Sequence, residues 1–293
     1  MLDGRESDRF AGLIEVFTTV DEVLDGPQPL PPRLDRALWL VPGVREATMR
    51  RLVKSGFTDI AGLASHPRFG ARAKKVKRLL DRSNPARLTD LIGSRAGRGN
   101  LLNLSLAGLF EASKILFLDI ETMGLFGGSP IIQAGLAWIK GSRIVVRQLV
   151  ARTPDAEAGL VREACDAIES CHALVTFNGR SFDFPYICQR AAYYGAPLSA
   201  DPVHFDLLPY SRRVWRGQTT NCRLSTLARE VLGMKRDEDV DGSMVPGFYR
   251  DYLEDPDGRY GLLAGIVSHN RDDMIEMVRL YERLLMEARR LDV

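Results

Sequence analysis

A chain of 293 residues, 45% of them hydrophobic, can bury one large core or two ordinary ones, which excludes a disordered or fibrous protein. The net charge of +2 does not mark a nucleic-acid binder, and four cysteines without a CxxC pair (Cys165, Cys171, Cys188, Cys222) exclude a disulfide framework and a zinc finger. The opening MLDGRESDRF lacks a basic segment followed by an apolar run, and no stretch approaches membrane-spanning length, so a cytoplasmic protein without membrane association is expected.

Phe10, Leu13, Ile14, Phe17, Val20 and Leu24 recur at helical spacing, which predicts an amphipathic helix over residues 5–24. The Pro-rich GPQPLPPRL that follows is a connector. From Ala37 a small helical unit is expected, with VPGV at 41–44, an apolar run through Met49, Leu52 and Val53, and SGFTDIAGLASHP opening a further helix near Thr58. Residues 66–100 carry ten basic side chains (Arg68, Arg72, Lys74, Lys75, Lys77, Arg78, Arg82, Arg87, Arg95, Arg98) against Asp81 and Asp90, a net of +8 that leaves the remainder mildly acidic. On charge alone this is a helical hairpin with a solvated basic face. VPGV with SGFTDIAGLA resembles the helix-hairpin-helix family, whose members bind DNA backbone without reading sequence. The resemblance implies phosphate held at a helix N-terminus, with Lys74, Lys75, Lys77 and Arg78 adding charge attraction.

From Lys114 the texture changes to alternating strands and helices. ILFLDIE, PIIQAGLAWI and RIVVRQLVA read as strands, the last two joined at Lys140-Gly141-Ser142, and predict an antiparallel meander. Helix over 155–170, strand over 172–177, helix over 182–194 and strand over 202–206 follow, then helices over 224–232 and 262–289. The expected fold class is therefore α/β: residues 111–293 form a mixed sheet, antiparallel meander plus parallel strands, flanked by helices in RNase H-like order, after a small all-α domain over 1–110.

Asp119 and Glu121 are two residues apart on a strand, so they share a face, as joint metal coordination requires. Asp119 also ends an apolar run, where an unpaired carboxylate is costly to bury. Asp237-Glu238-Asp239, by contrast, stands in a polar, loop-like stretch and reads as solvated. In TFNGRSFDFP, Asn178-Gly179 makes a turn, Ser181 is the expected N-cap, and Asp183 falls in the first helical turn, where it also suits the helix dipole without any function. In SHNRDDM, expected at a helix opening, His269 and Asp273 are four apart on one face, with Asp272 competing for the ligand role.

LDIETMGL, NGRSFDFPYI and HNRDDM, in this order, resemble the Exo I, Exo II and Exo III motifs of DEDD 3′→5′ exonucleases. FDLLPYSRRVWRG, CRLSTLA and VPGFYRDYL are similar to the YprB-like branch of the RNase H-like superfamily. The resemblance implies Asp119, Glu121, Asp183 and Asp273 as ligands of two divalent ions, and His269 as the catalytic proton acceptor at the spacing where better-known branches carry Tyr. Hard oxygen donors select Mg²⁺ or Mn²⁺ over zinc. Thr122, Met123 and Gly124 would line the terminal nucleotide, Asn178 and Phe182 would support the second motif, and Arg212, Arg213 and Arg216 are either phosphate contacts or ordinary surface arginines. The implied activity is release of nucleoside 5′-monophosphates from a single-stranded 3′ end, DNA favoured and RNA open. The alternatives are a catalytically silent nucleic-acid-binding module, which has no reason to keep four costly charges together, and an RNase H-type endonuclease, which needs no His at the third motif.

Overall fold

The computed structural model describes residues 4–20, 33–124, 128–236 and 240–291. The chain divides into two compact units, one of residues 1–26 and 110–283, the other of 27–109 and 284–293.

The first unit holds a seven-stranded sheet: β1 (Gly4–Glu6), β2 (Leu13–Val20), β3 (Ile115–Thr122), β4 (Ile131–Lys140), β5 (Arg143–Ala151), β6 (Ala173–Thr176) and β7 (Val203–Asp206), in the order β1-β2-β5-β4-β3-β6-β7. The expected meander is β3-β4-β5, antiparallel throughout, and β6 and β7 run parallel to β3. The turn between β4 and β5 has Gly141 at φ +63°, a left-handed conformation that glycine adopts at no steric cost.

The expected N-terminal helix is absent. Gly4–Glu6 and Leu13–Val20 are strands, and all eight residues of β2 pair with β5, from Leu13 opposite Ala151 to Val20 opposite Ile144. LIEVFTTV is dominated by β-branched and aromatic residues, and an open sheet edge supplied the partner that a spacing argument cannot see. Leu24, the Pro-rich connector up to Pro32 and the Asp237–Asp239 triplet lie outside the described residues.

Alternation along the strands sends Leu116, Leu118 and Ile120 into a core shared with α6 (Glu157–Ser170) and α7 (Asp183–Tyr193). Ile14, Val16, Ile132 and Val150 face a second core on the other side, made with α10 (Val245–Glu254) and α11 (Tyr260–Leu291). In this unit α8 (Leu207–Trp215) and α10 add two helices to those expected, while α9 (Leu224–Val231) falls where a helix is expected. Among the described residues no helix is long and apolar enough to cross a membrane.

The second unit contains α1 (Glu46–Lys54), α2 (Ile60–Leu63), α3 (Gly70–Asp81), α4 (Pro85–Ala96) and α5 (Leu101–Ser105). Among the described residues only short 3₁₀ turns, Leu34–Arg36 and Leu38–Leu40, precede the VPGV turn, where a full helix would begin a hairpin. Arg72 donates to the Pro42 carbonyl at 3.1 Å, and Arg95 to that of Trp39 at 3.2 Å and those of Val41 and Val44 at 3.4 Å. Two members of the basic run thus brace the turn. Lys77 pairs with Asp81 one helical turn on, while Lys74, Lys75 and Arg78 stay exposed.

Candidate active site

β3 is central, and its exposure alternates where it nears its end: Ile120 is buried in the α6/α7 core, while Asp119 and Glu121 point to the opposite face. Phe117 shares that face and meets Tyr281 of α11 edge-on at 5.3 Å. The helix that covers Phe117 therefore also reaches the carboxylates. His269, Asn270 and Asp273 lie inside α11, some nine residues past its start, so the third motif does not open a helix.

β3 pairs with β6 only as far as Phe117 opposite Val175. Beyond that point the Ile120 N–H is released, and Asp183 Oδ1 accepts it at 3.0 Å. The carboxylate from the second motif is thereby tied to the backbone between the two from the first. Asp183 is the first residue of α7, with Phe182 rather than Ser181 at the N-cap position and no side-chain cap. The turn leading there has Asn178 at φ +67°, and the Asn178 N–H donates to Asp206 Oδ1 at 2.8 Å.

Glu121, His269 and Asp273 each present a ligand atom within 4.8 Å of the others. His269 Nε2 lies 3.6 Å from Glu121 Oε1 and 3.4 Å from Asp273 Oδ2. Burial first, then the charges of Asp183, Asp273 and Glu121, holds the Asp119 carboxyl well above the usual carboxylate range, with the Asn270 hydrogen bond pulling the other way. Glu121 is pushed up to about 8 by burial and by Asp273 and Asp183. Asp183 is pushed up to about 7 by burial, against hydrogen bonds from the Ile120 and Asp183 backbone. Such a set is short of positive charge, and hard divalent cations are the chemically matched remedy. Asp272 pairs with Arg271 at 2.8 Å and lines a cavity of about 450 Å³ with Lys235 and Glu276. It is not in the cluster.

Two residues that the motifs did not flag organise this centre. Asn270, fully buried, donates from Nδ2 to Asp119 Oδ2 at 2.9 Å and accepts at Oδ1 from Gln133 and Gln148, each at 3.0 Å. The available signal was positional, because Met274, Met277 and Tyr281 form a buried stripe that runs back one turn onto an Asn. Arg236 pairs with Asp273 and Glu276, at 2.8 Å and 2.6 Å to the latter, and meets His269 Nδ1 at 3.2 Å. Arginine only donates, so Nδ1 accepts and the neutral ring carries its proton on Nε2. No local pattern could have found Arg236, which lies 37 residues before Asp273.

Gly135 pairs with Asp119 across β3 and β4, and a Cβ there would stand 2.4 Å from Asn270 Oδ1 and 2.8 Å from Met274. Gly135→Ala should therefore cost about 1–3 kcal/mol of stability in thermal or denaturant unfolding. It should also displace Asn270, seen as a further rise in the Asp119 titration midpoint by NMR.

The remaining expected residues scatter. Thr122 ends β3, buried, with Oγ1 donating to the Gly124 carbonyl at 2.8 Å. Met123 packs against the α10/α11 core, and Phe182 packs against the α6/α7 core and tilts against Tyr186 at 5.3 Å. Asn178, Arg212 and Arg216 line one groove, which Arg213, exposed on α8, does not line.

Residues 116–285 match the model of a family described as RNase_H superfamily. Over 178 residues the chain is 32% identical to the protein YprB of Bacillus subtilis (strain 168), covering 59% of this chain and 42% of that one. It is 26% identical over 134 residues to DNA polymerase 1 of Pyrococcus abyssi, covering 35% of this chain and 17% of the polymerase. Among solved structures, the family B DNA polymerase from the hyperthermophilic archaeon Pyrobaculum calidifontis aligns with a TM-score of 0.46 at 21% identity, over 58% of this chain and 24% of that chain. The chain spans less than half the length of each of these proteins.

Proposed function

Because this chain belongs to the RNase H superfamily, we propose that it is a divalent-metal-dependent 3′→5′ exonuclease acting on single-stranded nucleic acid, DNA before RNA. One observation carries the reading. Carboxylates from three distant segments gather on one side of the end of β3, with the ionisation of Asp119, Glu121 and Asp183 suppressed by burial and neighbouring negative charge, and His269 turned towards Glu121 and Asp273.

Asp119, Glu121, Asp183 and Asp273 would hold two Mg²⁺ or Mn²⁺ ions. When bound, such ions favour attack of water on the phosphodiester and stabilise the leaving 3′ oxygen. The P–O3′ bond breaks and a nucleoside 5′-monophosphate leaves. Asn270 fixes Asp119, and the Ile120 N–H fixes Asp183, so both donors are oriented before any ligand arrives. His269 holds its proton on Nε2 while Arg236 occupies Nδ1, so it orients an oxygen in the pocket by donation. It becomes a proton acceptor, the role expected from sequence, only when Arg236 releases Nδ1. Thr122, Met123 and Gly124 remain assigned to the terminal nucleotide. Exposed Lys74, Lys75 and Arg78 supply sequence-independent attraction in the second unit, by analogy with the helix-hairpin-helix pattern. Their test is substitution to Gln, because truncation of residues 1–100 would also remove β1 and β2 from the sheet.

The deciding experiment uses 5′-labelled linear oligonucleotides, DNA and RNA, and circular single-stranded DNA. A ladder of products shortened from the 3′ end, dependent on Mg²⁺ or Mn²⁺ and stopped by EDTA, is expected, with circles left intact. Cleaved circles would mean an endonuclease. Retardation without cleavage under every metal condition would mean a binding module.

A further inference from the structure

We infer that the groove beside α8 and the loop leading to α9 is a track for the phosphodiester backbone of the single-stranded substrate, gripped by Arg212, Arg216 and Arg223; the strand's role as substrate rests on the nuclease reading above. The groove has a volume of about 1030 Å³ and is lined by these three arginines together with Phe177, Asn178 and Asn221.

Among the described residues, none of the three guanidinium groups makes an ion pair or hydrogen bond within the protein, and all three side chains are exposed. Asp241 senses the charge of Arg223 but forms no ion pair with it. Arg147, Arg180, Arg190 and Arg236 instead spend their donors inside the protein, on Glu163, the His204 carbonyl, Glu157 and Glu276. Three exposed guanidinium groups with no partner among the described residues line one concave surface, and phosphate oxygens match the guanidinium fork. Half-buried Phe177 adds an aromatic face to the same lining, and basic groups interleaved with an aromatic are what an unpaired strand requires.

β3, β6 and β7 are parallel, so their C-terminal ends share one edge of the sheet. Asp119 and Glu121 stand at the end of β3. The groove begins at Phe177 and Asn178, directly after β6, and Asn178 is five residues before Asp183. Asp206, at the end of β7, accepts from the Asn178 N–H and also caps α8 by accepting from the Leu208 N–H at 3.1 Å. One carboxylate thus locks the turn that delivers Asp183 to the helix that carries Arg212. In the loop, Glu230 accepts from the Thr220 N–H at 2.9 Å and from its hydroxyl at 2.8 Å, so the lining between Arg216 and Arg223 is held in shape.

The test is direct binding by fluorescence anisotropy of 5′-labelled DNA and RNA 12-mers to the full chain in EDTA, where no turnover occurs, across a salt series. Each phosphate released from its counterions contributes about −0.7 to the slope of log K against log salt on a single strand. Arg212→Gln/Arg216→Gln/Arg223→Gln should flatten that slope by roughly 2 and weaken binding in both arms alike, whereas Arg213→Gln, on the same helix but outside the groove, should flatten it by less than half as much per residue. An unchanged slope in the triple variant, or an equal loss from Arg213→Gln alone, overturns the track. So does a loss confined to one sugar type, since backbone phosphate is common to both. Binding and hydrolysis fail separately: a salt-dependent grip lost in the triple variant with no cleavage by wild type removes the nuclease reading and keeps the groove.

Discussion

Asp119→Asn should reduce hydrolysis by about three orders of magnitude or more and yet raise the melting temperature of the metal-free protein. Both follow from one geometry. Asp119 is a buried carboxyl whose charged form is opposed by burial and then by Asp183, Asp273 and Glu121, so removing its charge removes a ligand and also the cost of ionising that group. Asn keeps an oxygen for the Asn270 Nδ2 donor, so the fold is not disturbed. The pH dependence has a definite sign. Glu121 rises from 4.5 to about 8 and Asp183 from 3.8 to about 7, so the folded chain holds these protons more tightly than the unfolded chain does. The stability they contribute is complete below about pH 4 and is lost as pH climbs through 7 to 8. Scanning calorimetry in EDTA should therefore show the wild type melting progressively lower between pH 5 and pH 8. Mg²⁺ or Mn²⁺ should restore it at pH 8, and Asp119→Asn should remove the part of the profile that Asp119 itself contributes while Glu121 and Asp183 keep theirs. A variant that melts lower than wild type in EDTA at pH 8 would mean that Asp119 is not in a repulsive set.

Arg236→Met should be the most destabilising single substitution near the site, by about 3–5 kcal/mol, because it strips the counter-charge from buried Glu276 and from Asp273. Burial opposes the charge on Arg236, yet Glu276 and Asp273 hold its guanidinium above its ordinary range, the mark of a cation bound more strongly than it is desolvated. Arg236→Met/Glu276→Leu removes both ends of that pair and should recover much of the loss, which denaturant unfolding would measure directly. In the same variant His269 Nδ1 loses the Arg236 donor, and the ring can place its proton on either nitrogen. ¹⁵N chemical shifts of the imidazole should then move away from a pure Nε2–H tautomer. An unchanged tautomer in Arg236→Met would show that another group sets the ring. His269→Gln, which keeps a donor, should retain more activity than His269→Ala, for which a loss of about two to four orders of magnitude is expected.

Much of the sheet was legible because its strands carry strong local patterns. RIVVRQLVA became β5 at the expected residues, and ILFLDIE became β3 with one residue added. The carboxylate face of β3 followed from a period of two. LIEVFTTV misled because its apolar spacing over 10–24 satisfies a helix, while its β-branched content satisfies a strand, and only the edge of β5 settled the matter. Ser181 is not the N-cap: Asp183 opens α7 behind Phe182 with no side-chain cap, and the Asp183 carboxylate is tied to the Ile120 N–H of β3, 63 residues away.

What the sequence by itself determined is the chemistry available: which residues carry charge, which alternate into a core, and that LDIE, SFDFP and HNRDD put acidic groups beside strand ends and on a helix face. Those are local properties, set by periods of two and 3.6 residues and by side-chain type. What only the tertiary structure decided is the company each group keeps. The early end of β3–β6 pairing frees the Ile120 N–H for Asp183, Gly135 leaves room for Asn270 to reach Asp119, and Arg236 arrives from outside any motif to hold Asp273, Glu276 and His269. Desolvation and charge interaction act through space and not along the chain, so the ionisation of the carboxylates, and the nitrogen on which His269 carries its proton, exist only once these segments have met.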